Sequence, residues 1–148
     1  MQYLSVHDLV WINATATGET LHFHYDALEA AMAAQYNYGN STNVPVQAAN
    51  MLSKMLEAPI FEHGNRQTAF IAVTAFLVAN GFRLVVTDSE AVAIVEKVAS
   101  SQMEASQAIS KLANKAKDDI SKQIALRSMV THLFNEHREA ISHLARGD

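Results

Sequence analysis

The chain reads Ala58-Pro59-Ile60-Phe61-Glu62-His63-Gly64-Asn65-Arg66-Gln67-Thr68-Ala69-Phe70 at the point that decides its fold. Pro59 has no backbone N–H and pushes Ala58 out of the helical region, so we expect a helix to end there. Gly64 permits a tight turn, and Asn65 is a good N-cap for the strongly apolar helix that follows. The stretch therefore predicts two helices joined by a short loop.

The first turn of the second helix is a candidate anion site. Its residues Gly64, Asn65 and Arg66 are expected to present free N–H groups, which the helix dipole makes attractive to negative charge. Every helix has such an N-terminus, so the simpler interpretation is a loop and a cap without a ligand. The turn alone leaves both interpretations open.

The order of residues here resembles the signature of the Fic/Doc (death-on-curing) family. That signature runs His-x-Phe-x-Asp/Asn-Gly-Asn-x-Arg, and in the Doc branch it ends Asn-Lys-Arg-Thr-Ala. The residues in register are Phe61, Gly64, Asn65, Thr68 and Ala69. The resemblance covers about residues 3–114. It implies a mostly α fold with a small β-hairpin, and in an active member it implies transfer of a phosphoryl or nucleotidyl (AMP) group to a protein hydroxyl.

Three positions depart from the signature where the family's chemistry lies. Pro59 replaces the histidine that acts as general base, and proline has no titratable group. His63 replaces the Asp or Asn that holds Mg²⁺ beside ATP or another nucleotide, although imidazole is a poor ligand for that hard cation. Gln67 replaces the arginine that grips phosphate. Arg66 keeps a positive charge, but one position along a helix turns a side chain by about 100°.

These departures favour a degenerate Fic/Doc-like protein that acts as a binding or regulatory module. We expect no catalytic residue, no metal and no cofactor in such a protein. His63 as a relocated base would make the chain an active transferase, which is the alternative; a loop histidine is more often a solvated side chain. A DNA-binding regulator is a weaker alternative, because no basic helix or helix-turn-helix signature is present.

Length and composition predict a single domain, and the degenerate signature implies a protein partner. A chain of 148 residues suffices for one packed core. It has no cysteine, which excludes disulfides and favours a cytoplasmic location. The longest apolar run, Thr68 to Asn80, is shorter than the about 20 residues that span a bilayer. The formal net charge of −4 disfavours nucleic acid as a partner.

Local patterns predict several element boundaries. Ser5 and Asp8 have the spacing of a capping box, and Asp26 is expected to cap a second helix. The helix from Asn65 to Asn80 is apolar nearly all round, which predicts a place at the centre of the core. The best strand candidate is Leu84–Thr87. The tyrosine-containing loop Tyr36–Asn43 is either a contact surface, like the family's flap, or an ordinary connection.

The chain beyond the resemblance, residues 115–148, predicts an extra C-terminal helix added to a Fic/Doc-like domain of residues 1–114. Its apolar stripe has members at spacings of three and four, and these are Leu126, Val130, Leu133, His137, Ile141 and Leu144. Such a stripe packs either on the chain's own core or on a second copy as a homodimer. The sequence leaves these two arrangements open.

Overall fold

The computed structural model describes residues 1–36, 42–116 and 125–146, and these are mostly helical. The helices are α1 (Val6–Thr17), α2 (Tyr25–Ala33), α3 (Val44–Glu57), α4 (Asn65–Ala79), α5 (Asp88–Ala99), α6 (Ala105–Leu112), α7 (Leu126–Glu136) and α8 (Arg138–Ala145). Strands β1 (Phe82–Leu84) and β2 (Ala113–Lys115) pair antiparallel. The predicted fold class is confirmed, with the two strands joined through α5 and α6 rather than by a tight turn.

Helix α4 lies at the centre of the core, as its sequence predicts. Every residue from Gln67 to Leu77 is buried. The helix contacts α1, α3, α5, α7, α8 and β1. Burial of each large apolar side chain contributes about 1.5–3 kcal/mol, so this helix holds the surrounding elements together.

The capping box at the start of α1 is confirmed, whereas two other predicted boundaries are wrong. Asp26 lies inside α2, whose N-cap is His24. Strand β1 ends at Leu84 instead of continuing to Thr87, because Thr87 caps α5. Its hydroxyl oxygen accepts a hydrogen bond of 3.2 Å from the N–H of Glu90, and the Glu90 carboxylate accepts one from the N–H of Thr87.

Within residues 125–146, the C-terminal region forms two helices where one was predicted, because the backbone leaves helical geometry at His137 (φ −110°, ψ 32°). Residues 117–124 of the predicted helix lie outside the described residues. Helices α7 and α8 pack on α1, α4 and α5. The apolar stripe faces the chain's own core, where the most exposed of Val130, Leu133, Ile141 and Leu144 is 8% exposed. The apolar surface that suggested a homodimer is therefore covered within one chain. The predicted boundary between residues 114 and 115 falls inside β2.

A polar contact fastens α8 to the start of α5. Asp88 Oδ1 lies 2.9 Å from His137 Nδ1, and Asp88 Oδ2 accepts a hydrogen bond of 3.2 Å from the N–H of Ala140. The His137 ring also meets the Phe70 ring edge-on, at 5.6 Å between centroids. One carboxylate thus contacts both the residue at the junction between α7 and α8 and the first turn of α8.

Most of the Tyr36–Asn43 loop, residues 37–41, lies outside the described residues. Across the described ranges, no helix combines the length and apolar character needed to cross a membrane.

Candidate functional site

The loop between α3 and α4, residues 58–64, is called here the motif loop, and the side chain of Asn65 holds it. Asn65 Oδ1 accepts hydrogen bonds from the N–H groups of Ile60 (3.0 Å) and Phe61 (2.9 Å), and Asn65 Nδ2 donates to the carbonyl of Phe61 (2.9 Å). The N-cap of α4 is Gly64, with no side-chain capping bond. The prediction that Asn65 caps α4 is therefore wrong, because its amide binds the preceding loop.

Helix α1 fits closely against Gly64. The glycine has φ +77°, and a Cβ atom there would lie 2.5 Å from Thr17 Cγ2 and 3.1 Å from Asn13 Nδ2. Asn13 is 1% exposed and donates hydrogen bonds to the carbonyl of His63 and to Thr68 Oγ1, both at 3.1 Å. The turn thus requires glycine both for its backbone conformation and for space.

Gln67 is used to attach the C-terminal region. Its side chain is buried, and its Nε2 atom donates a hydrogen bond of 2.8 Å to the carbonyl of Ile141 in α8. At the position where the family's arginine grips phosphate, this chain therefore holds its own helix.

The remaining predicted site residues divide between two places. A small cavity of about 220 Å³ is lined by Met55, Leu56, Ala58, Pro59, Asn65, Arg66 and Ala99. His63 instead pairs with Glu19, at 3.3 Å between Nε2 and Oε2, and both side chains are about half exposed or more. The structure thus brings Pro59, Asn65 and Arg66 together around one cavity. It pairs His63 with Glu19, which lies in the loop that follows α1.

A second cleft, which the sequence does not predict, lies beside the motif loop and is called here the aromatic cleft. It measures about 390 Å³ and is lined by His22, Phe23, His24, Pro59, Phe61 and Glu62. Phe23 pairs with Phe61 in an antiparallel bridge, with 6.0 Å between the ring centroids. Phe23 is 40% exposed and Tyr25 is 57% exposed. The signal that could have revealed it is the run His22-Phe23-His24-Tyr25, in which histidines alternate with aromatic residues.

Comparison of the chain with protein-family models, curated protein sequences and solved structures gives no significant match. The Fic/Doc resemblance rests on the motif residues and stays a prediction. Within residues 1–36, 42–116 and 125–146, no group of three His, Cys, Asp or Glu side chains is arranged to hold a metal ion.

Proposed function

We propose that this chain is a degenerate Fic/Doc-like protein that acts by binding another protein rather than by transferring a nucleotide. The observation that carries the proposal is the use of Asn65 and Gln67, whose amides hydrogen-bond the motif loop and α8. Pro59, at the position of the base, has no group that can take a proton. The proposal includes no cofactor, whereas weak phosphate binding at Gly64, Asn65 and Arg66 remains a prediction.

We assign the protein contact to the aromatic cleft. Phe23 and Tyr25 offer large exposed rings beside it, and aromatic side chains are enriched at the centres of protein interfaces. Homodimerisation through the C-terminal stripe was suggested by its apolar surface, and that surface is buried within one chain. The physical reason for this dimer therefore no longer applies. The cytoplasm is the proposed location, which the absence of cysteine favours.

Site-specific photo-crosslinking in cells tests this surface. A photoreactive amino acid at Tyr25 should yield one defined crosslinked partner, and Phe23→Ser should reduce its yield by about tenfold, as expected for an interface anchor. The matched control is the same amino acid at Val46, which is 44% exposed on α3 and does not line the cleft. Identical products from both positions would rule out the aromatic cleft as the contact.

The competing function, a protein transferase, is favoured by the pairing of His63 with Glu19. A carboxylate beside an imidazole orients the ring, and catalytic bases use this arrangement. Incubation with radiolabelled ATP or GTP, Mg²⁺ and a cell extract should nevertheless label no protein above a boiled control. Labelling that disappears in both His63→Ala and Glu19→Gln would establish the transferase and overturn the binding proposal.

A further inference from the structure

A cavity of about 470 Å³ lies between α4, β1 and α7, and no residue of the motif loop lines it. Small-molecule sites in proteins measure about 300–1,000 Å³ and combine apolar walls with a few polar groups. The apolar wall here is formed by Val78, Leu84, Val86, Met129 and Leu133. The cavity therefore has the size and the wall of a site for a small apolar ligand.

Thr74 gives this cavity a buried polar group. The residue is 2% exposed and lines the cavity, and its hydroxyl makes no hydrogen bond to any described residue. Every fully buried side-chain oxygen or nitrogen in the described residues does have such a partner. The Thr74 hydroxyl must therefore keep contact with the open space of the cavity. A hydroxyl that faces this cavity without a protein partner is available to hydrogen-bond a ligand atom.

Arg83 gives the cavity a cation at its edge. The side chain is exposed and, in the part of the chain that the structure describes, makes no hydrogen bond or ion pair. The other titratable side chains of the lining contact partners of their own, within the lining or in α5. His132 lies 3.4 Å from Glu136, and His137 contacts Asp88 through Nδ1. Arg83 is the guanidinium left to bind an anion, and this group matches a carboxylate well.

We propose that this cavity binds a small organic acid with an apolar body, of the medium-chain fatty acid type. The apolar chain lies against Val78, Leu84 and Met129, Arg83 pairs with the carboxylate, and the Thr74 hydroxyl hydrogen-bonds an oxygen atom of the ligand. The site is separate from the motif loop and from the aromatic cleft. Binding of a ligand in this cavity therefore does not depend on the function of the motif loop.

Isothermal titration calorimetry of the full chain with octanoate and with 1-octanol tests the proposal. Octanoate should bind with a Kd below about 1 mM, and the neutral alcohol should bind about tenfold more weakly because it lacks the charge. Arg83→Gln should lower the affinity for octanoate by about tenfold, to that of the alcohol. Arg138→Gln, at an exposed arginine of α8 outside the cavity, is the matched control and should change nothing.

Two further variants test the location within the cavity. Val78→Phe and Ser128→Trp should each block octanoate, the first from the wall and the second from the exposed edge of α7. Circular dichroism identifies folded variants, and Ser128→Trp serves where Val78→Phe does not fold. Octanoate and 1-octanol of equal affinity, unchanged binding in Arg83→Gln or in a folded blocking variant, or no binding at about 1 mM would each overturn the proposal.

Discussion

The Nε2 atom of Gln67 and the carbonyl oxygen of Ile141 lie 2.8 Å apart in a hydrogen bond that fastens α4 to α8. Gln67 is 5% exposed, so α8 covers the place where the Fic/Doc signature has an arginine. A guanidinium at this position would either displace α8 or be buried without an opposite charge. Restoring the signature residue is therefore expected to weaken the fold.

We predict that Gln67→Arg lowers the free energy of unfolding by about 2–4 kcal/mol, because a charge replaces a buried neutral amide. Gln67→Met keeps the shape, removes one hydrogen bond and should cost about 1–2 kcal/mol. Urea unfolding followed by circular dichroism measures both. An Arg variant as stable as the wild type would show that α8 leaves room for a phosphate-binding arginine.

Gly64 and Gly18 form a matched pair for testing the fit of α1 against the motif loop. Both have φ near +75°, but a Cβ atom meets nothing within 4 Å at Gly18 and lies 2.5 Å from Thr17 Cγ2 at Gly64. We predict a loss of about 1–2 kcal/mol for Gly18→Ala and about 3–5 kcal/mol for Gly64→Ala, where overpacking adds to the backbone cost.

The excess cost at Gly64 should fall in a Thr17→Ser background, because serine lacks the Cγ2 atom. Urea unfolding of the single and double variants gives the coupling between the two positions. Equal losses for Gly18→Ala and Gly64→Ala would contradict the close fit.

Asn65 allows its hydrogen bonds to be removed in stages. Asn65→Asp keeps an acceptor for the N–H groups of Ile60 and Phe61 but replaces the donor to the Phe61 carbonyl with a negative oxygen. Asn65→Ala removes the three contacts together. We predict losses of about 1 kcal/mol for Asp and about 2–3 kcal/mol for Ala, measured by thermal unfolding. A loss for Asp that exceeds the loss for Ala would contradict this account.

Asp88 and His137 should be coupled in their contributions to the free energy of unfolding. Asp88→Ala removes the acceptor for both His137 and the N–H of Ala140, whereas His137→Ala removes the imidazole alone. We predict a coupling energy of about 1–2 kcal/mol in a double-mutant cycle, within the range for residues in direct contact. Additive losses would mean that the two side chains are held by other contacts.

Truncation after Lys115 tests the role of α7 and α8. An extra helix added to a complete domain of residues 1–114 would be dispensable, but the structure uses α7 and α8 to cover α4 and α5. Their removal exposes apolar surface around Phe70 and should cost more than the about 5–15 kcal/mol that stabilises a domain of this kind. We expect loss of a cooperative thermal transition. A truncated chain with the wild-type Tm would show that α7 and α8 are dispensable.

Sequence reasoning succeeds here where the signal is local or uniform. The capping box of Ser5 and Asp8 spans four residues, and α4 is apolar nearly all round, so neither depends on distant parts of the chain. It fails where one polar side chain has a choice of partners. Gln67 bonds a carbonyl 74 residues away, and His137 meets a carboxylate 49 residues away. Those partners are set by helix packing, which no short pattern encodes.

Uncharged carboxamides supply hydrogen bonds at this site: those of Asn13 and Asn65 bond the motif loop, and that of Gln67 bonds α8. A carboxamide neither titrates nor attracts counter-ions, so these bonds keep their strength when salt concentration or acidity changes. The same groups are open to slow hydrolysis, which turns asparagine into aspartate. Deamidation of Asn65 removes the donor to the Phe61 carbonyl. The conformation of the motif loop is therefore insensitive to salt and acidity but sensitive to slow covalent damage.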